Sequence, residues 1–213
     1  MTVKGSGNIK AKPDLIVITM ELTTATPEYA KTTERAAAEL EALRKAIVSV
    51  GHEGQSLKTT DFNIATEYES YTDARGYLQQ KFKGYSCTHR LKLEFSLDMK
   101  FLGKTLAAIS ASGAKPWFEL GFSIKDKDAI QADLLEKAIA NAAEKATILA
   151  KASGVSLGEI MHIDYSWGEL RLYSDTNLSD ETDHSMIASF SKMEIEPEDV
   201  EVNDTVTVVW NIQ

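Results

Sequence analysis

A chain of 213 residues with a formal charge of −9 and one cysteine can bury about 70–75% of its unfolded surface without disulfides or a structural metal. The lone thiol, Cys87, excludes an intramolecular disulfide, and ordinary burial statistics read it as a small core hydrophobe. The charge is lopsided: ten acids between Tyr173 and Asp204 face only Lys192, and the rest of the chain is balanced. No Lys/Arg cluster exists to displace counterions from nucleic acid or to hold an anionic membrane surface.

From its start the chain runs into strand-like sequence without a basic segment, an apolar core or a cleavage site. As given it reads as cytoplasmic, and as periplasmic or exported if a signal peptide has been removed. Gly5-Ser6-Gly7 lacks the third glycine and following helix of a dinucleotide fingerprint, and predicts a bulge or a close backbone approach instead. Ile16, Ile18, Met20 and Leu22 then alternate with Val17, Thr19 and Glu21, the period-two pattern of a half-buried strand. A helix is predicted over about 27–50, with Tyr29, Ala36, Leu40, Leu43, Ile47 and Val50 on one stripe. Thr26 is its expected cap, Pro27 its first residue and Gly51 its stop.

Fainter strand signals cover Leu57 to Tyr71 and Tyr77 to Cys87, and a clear one carries His89, Leu91, Leu93, Phe95 and Leu97 on one side. A short helix over about 99–112 points Leu102, Leu106 and Ile109 inward, and Phe118, Leu120, Phe122 and Ile124 form the next strand. The longest helix, about 126–153, sets Ile130, Leu134, Ala138, Ala142, Ala146 and Leu149 along one side, and Gly154 closes it. So little side-chain bulk lets its backbone lie close to a neighbour. Glu159 to Leu172 reads as a weak strand, 173–191 as a mobile acidic loop, and Val206, Val208, Trp210 and Ile212 as the last strand.

These elements predict an α+β fold: antiparallel sheets with helices on one face, a βαββαβ-like core, then a long helix and two further strands. The whole of 1–213 is read as one domain. No transmembrane segment is present, because no apolar run approaches the ~20 residues a bilayer needs.

Chemistry-bearing residues are sparse. Cys87 and His89 share a strand face, as metal ligands would, but zinc needs two more ligands and the same face continues into Leu91 and Leu93. His162 has no identifiable partner in sequence, and His184 lies in the acidic loop, where only weak adventitious metal binding is expected. Asp126 and Asp128 flank a helix start, where capping accounts for them, and Glu67 and Glu69 are spaced two apart on a strand. There is no nucleophile elbow, phosphate loop, His-Glu-x-x-His or calcium loop. The sequence therefore names no catalytic, cofactor or metal residue, and the chain is read as a non-enzyme. What stands out is aromatic: Tyr68, Tyr71, Tyr77 and Tyr85, with Phe82, on two consecutive strands. The four tyrosines are the candidate interface; cross-strand packing is the alternative.

Together these residues resemble the SIMPL-domain family. Val3-Lys4-Gly5-Ser6-Gly7 with Pro13-Asp14 is similar to its opening signature. So are Thr60 to Ile64 with Tyr68 and Tyr71, Gly84-Tyr85, and Gly113-Ala114 with Phe122-Ser123-Ile124. The most specific stretch is Ala138 to Ile163, through Ala142, Lys145-Ala146, Leu149-Ala150, Gly154 and Leu157-Gly158. Ile195-x-Pro197 and the final strand complete the match. The resemblance implies a bacterial protein, often exported, linked to oxidative-stress defence, and in some members a ring-like homo-oligomer. It carries over no catalytic residue. The expected function is a non-catalytic, homo-oligomerising binding or scaffold protein, with a further protein partner allowed and nucleic acid not expected. The rivals are an enzyme whose site assembles at a subunit interface, and a ring- or channel-like envelope assembly.

Overall fold

The structure is a computed structural model describing residues 1–165, 170–180 and 195–213. In chain order the elements are β1 (Thr2–Ala11), β2 (Leu15–Thr26), α1 (Tyr29–Ser49), β3 (Leu57–Thr72), β4 (Leu78–Ser96), α2 (Met99–Ala111), β5 (Trp117–Ser123), α3 (Lys127–Ser153), β6 (Leu157–Asp164), β7 (Tyr173–Asp180) and β8 (Val200–Ile212). Two antiparallel sheets result, ordered β1-β8-β6 and β3-β4-β2-β5-β7, so the fold is α+β. In the larger sheet β4 lies between β2 and β3, the two strands that α1 connects. That is the split βαβ arrangement. Among the described residues no helix is long and apolar enough to cross a membrane.

The chain divides into two compact units, Met1–Leu15 with Phe122–Thr176 and Pro197–Gln213, and Ile16–Gly121 with Asn177–Glu196. In the first unit α3 packs on β1 and β8. Leu134, Ala138, Ala142, Ala146 and Ala150 recur every fourth residue and are all buried, the spacing of one helix face. They meet Val3, Val206, Val208 and Trp210 toward one end, and Ile9, Leu172, Val200 and Val202 toward the other. The approach is close because β1 offers glycine there. A Cβ on Gly5 would stand 2.1 Å from the Ala138 carbonyl oxygen, and one on Gly7 2.2 Å from that of Leu134. The predicted close approach of backbones is what these glycines serve. Asp126 caps α3 by accepting from the Ala129 amide at 3.0 Å, and left-handed Gly154 ends it.

In the second unit Ile16, Ile18, Met20 and Leu22 of β2 are buried, as are Cys87, His89, Leu91 and Leu93 of β4. Leu43 and Ile47 of α1, Leu102, Leu106 and Ile109 of α2, and Phe118 and Leu120 of β5 are buried with them. α2 starts at Asp98, whose carboxylate accepts from the amides of Lys100 and Phe101 at 2.9 Å each.

Several local expectations change. α1 begins at Tyr29 with Glu28 in the cap position, because Thr26 is still the last residue of β2 and Pro27 makes the turn between them. Tyr29 is consequently exposed, and the buried stripe opens at Thr32. On α3 the fourfold stripe continues to Ala150, which rotates Leu149 into water. The two sequence signals on either side of Cys87 are one strand of 19 residues. β1 is a full strand, and so is Tyr173–Asp180, the first part of the stretch predicted as a mobile loop. A position at the end of the sheet, beside β5, explains that strand. Backbone pairing holds it while Asp175 and Asn177 face solvent, and the Asn177 amide donates to Glu119 at 2.5 Å. The remainder of that loop, 181–191, and His184 within it lie outside the described residues.

Candidate functional site

β3 and β4 form a long hairpin, paired from Leu57 opposite Leu93 out to Thr72 opposite Leu78. Its base lies in the core through Leu57, Cys87, Leu91 and Leu93. The far end has no such cover. β2, the other neighbour of β4, stops at Thr26, and the stopping point is Gly84, where a Cβ would sit 2.4 Å from the Thr26 carbonyl oxygen. Beyond it, Glu67–Thr72 and Leu78–Lys83 make a ribbon of two strands, with β3 at the margin of the sheet. Tyr68, Tyr71, Tyr77, Leu78 and Phe82 leave between 46% and 74% of their surface in water.

The register sorts these side chains by face, since residues directly opposite in a ladder point the same way. Thr66 pairs with Tyr85 and Tyr68 with Phe82, whereas Glu67 pairs with Gly84, Glu69 with Lys81 and Tyr71 with Gln79. The ladder slips one residue between Glu67 and Tyr68, leaving Lys83 as the extra residue of a β-bulge. That slip puts Phe82 and Tyr85, three apart in sequence, on one face. An edge-to-face aromatic series follows: Tyr29 to Tyr85 at 5.5 Å, Tyr85 to Phe82 at 5.3 Å, Phe82 to Tyr68 at 6.0 Å. Tyr71 stands on the opposite face. Tyr77 is at the tip, where the Asp73 carboxylate accepts from the amides of Arg75 at 2.9 Å and Tyr77 at 3.0 Å.

The four predicted tyrosines are therefore not one patch. Tyr68 and Tyr85 are linked through Phe82, Tyr71 is turned away from them, and Tyr77 forms the end of the ribbon. Tyr29 and Leu78 also belong to this surface. Helical spacing sets Tyr29 in the buried stripe of α1, and Leu78 is the one aliphatic residue between Gly76 and Lys83. The signal that could have located the bulge is Gly84 itself, an interior strand glycine.

The cysteine and the histidines of this unit are occupied by structure. Burial pushes the Cys87 thiol up, and the Glu39 carboxylate adds to the effect. Glu39 accepts from Thr24 Oγ1 at 2.5 Å and from Arg35 Nε at 3.0 Å. His89 is buried beside Phe62, its Nε2 hydrogen-bonded to Thr59 Oγ1 at 2.9 Å, and burial, with Arg44, holds its protonation below the ordinary histidine range. His52 is buried against Phe95 and Phe101, and burial lowers it too. Thr105 Oγ1 donates to the Phe101 carbonyl, so the 2.8 Å contact runs from a protonated Nε2 of a neutral His52 ring. Among the described residues no three of His, Cys, Asp and Glu converge as metal ligands would.

Comparison with known proteins places this architecture. The family model described as SIMPL, protein of unknown function (DUF541), matches residues 1–210. The 26 kDa periplasmic immunogenic protein of Brucella melitensis is 27% identical over 167 residues, covering 76% of this chain and 65% of that protein. Its counterpart from Brucella abortus is 26% identical over the same shares. Both relatives are named periplasmic, and neither supports the cytoplasmic reading of the sequence.

Proposed function

This chain belongs to the SIMPL family, and we propose that it acts outside the cytoplasm as a non-catalytic protein that self-associates through the far end of its β3–β4 hairpin. One observation carries the reading: a two-stranded ribbon that leaves Tyr68, Tyr71, Tyr77, Leu78 and Phe82 in water on both its faces. An isolated two-stranded hairpin is marginal in water, and unpaired strand edges with apolar side chains recruit further strands. Burying what is still exposed of Leu78 and Phe82 would contribute roughly 1–2 kcal/mol each. A second copy brings the same deficit and the same remedy.

The absence of catalysis is supported by what the reactive side chains already do. Cys87 is an interior thiol raised by burial, and His52 and His89 are neutral rings fixed by threonines. Extracytoplasmic location is supported by the names of the two Brucella relatives.

Sedimentation velocity over a concentration series tests the proposal, comparing the wild type with a variant carrying Tyr71→Ser, Leu78→Ser and Phe82→Ser. The wild type should associate and the variant sediment as a folded monomer. A wild type that stays monomeric at tens of micromolar, or a variant that associates equally well, overturns it.

A further inference from the structure

The bulge that splits the tyrosines also builds a cleft. About 480 Å³ of space opens where β2 ends, lined by Thr23, Thr26 and Pro27 on one side and by Glu67, Lys83 and Gly84 on the other. Ligand sites commonly span about 300–1,000 Å³. The register explains why the cleft exists. Gly84 stands opposite Glu67 and lets the Thr26 carbonyl lie against it, so the backbone of two strands forms one wall of the cleft. Lys83, the extra residue of the bulge, lines the same hollow as Glu67.

Two opposite charges thus line one hollow without joining. The Glu67 carboxylate is held by Ser86, whose hydroxyl donates to it at 2.5 Å, and the cleft is bordered by that pair. Among the described residues Lys83 has no carboxylate within ion-pairing distance. Each group keeps hydrogen-bonding capacity free: the carboxylate can accept more than the single bond it has, and the ammonium has three donors. Hydroxyls of Thr23 and Thr26 add neutral polar positions along the wall.

We propose that this cleft binds a small zwitterion bearing both a free ammonium and a free carboxylate, of the class of a dipeptide. The ammonium would donate to Glu67 and the carboxylate would accept from Lys83, with the peptide unit against the backbone at Gly84 and Thr26. A free amino acid would underfill the space, and a ligand with one charge would leave a charged wall unanswered. The cleft lies where the ribbon begins, on the face of Glu67 and Ser86, and shares Glu67 and Lys83 with it, so ligand binding and self-association are read by separate measurements.

Saturation-transfer difference NMR on the full chain tests it, since the method reads ligand signals whatever the size of the particle. Glycylglycine is the probe, and N-acetylglycinamide, which lacks both charges, is the control. Glycylglycine should give a saturable signal that Glu67→Gln and Lys83→Gln each weaken by about tenfold or more in affinity, as expected for loss of a charge-assisted hydrogen bond. The control should give none. Circular dichroism confirms each variant is folded, and if one is not, the other decides. A missing or non-saturable glycylglycine signal overturns the proposal, as does an equal signal from the control or affinity unchanged in the folded variant.

Discussion

Replacing Gly5 by alanine probes the packing that holds the first unit together. The added Cβ would lie 2.1 Å from the Ala138 carbonyl oxygen and 2.7 Å from both the Cβ and the amide nitrogen of Ala142. Two of those three atoms are backbone, so no rotamer change relieves the overlap, and α3 must lift from β1 by more than an ångström-scale adjustment of a side chain. Overpacking of this kind costs typically 1–3 kcal/mol, and contact with rigid backbone puts Gly5→Ala at the upper end, about 3 kcal/mol. Against this stands a gain of about 0.4–1 kcal/mol, because alanine restricts the unfolded chain. The net loss of about 2–2.5 kcal/mol corresponds to a fall in Tm of roughly 4–10 °C for a chain of this size. Gly54→Ala is the matched control: its nearest neighbour is a Val48 methyl at 4.0 Å, so only the gain should remain. Thermal unfolding by circular dichroism reads both. A Gly5→Ala protein melting with the wild type would refute the close approach of α3 to β1.

Two further outcomes follow from buried groups. Cys87, interior and with its thiol raised by burial, should react with a disulfide reagent at least about a hundredfold more slowly in the native protein than in guanidinium; comparable rates would mean the thiol is open. His52 and His89 are held below their ordinary value of 6.5 by burial, so the unfolded chain binds more protons and stability falls as pH drops through 6.5. The slope is at most about 1.4 kcal/mol per pH unit for each histidine. Urea titrations at about pH 7.5 and 5.5 should show the loss, and His52→Gln should reduce it; a flat profile would contradict the neutral, buried assignment.

The fold was legible wherever burial falls on one side of an element. β2, β4, β5 and β8 show it as alternation, and α3 shows it as alanines four apart. What was not legible depends on pairing. Nothing along the chain marks Tyr173–Asp180 as a strand, because its place beside β5 lets polar residues occupy it. Leu149 and Ala150 are adjacent, and only the rotation of α3 against its sheet decides which one turns inward. The tyrosine surface shows the same limit more sharply. Composition located it on the hairpin, but a one-residue slip at Lys83 decides which side chains share a face. The cleft made by Glu67 and Lys83 depends on that slip as well.

Hydrogen–deuterium exchange at low and high protein concentration tests self-association through the hairpin most directly. The unpaired edges of Glu67–Thr72 and Leu78–Lys83 should exchange quickly in dilute solution and gain protection as the protein concentrates. Protection appearing elsewhere while these amides stay fast would show that copies meet through a different surface.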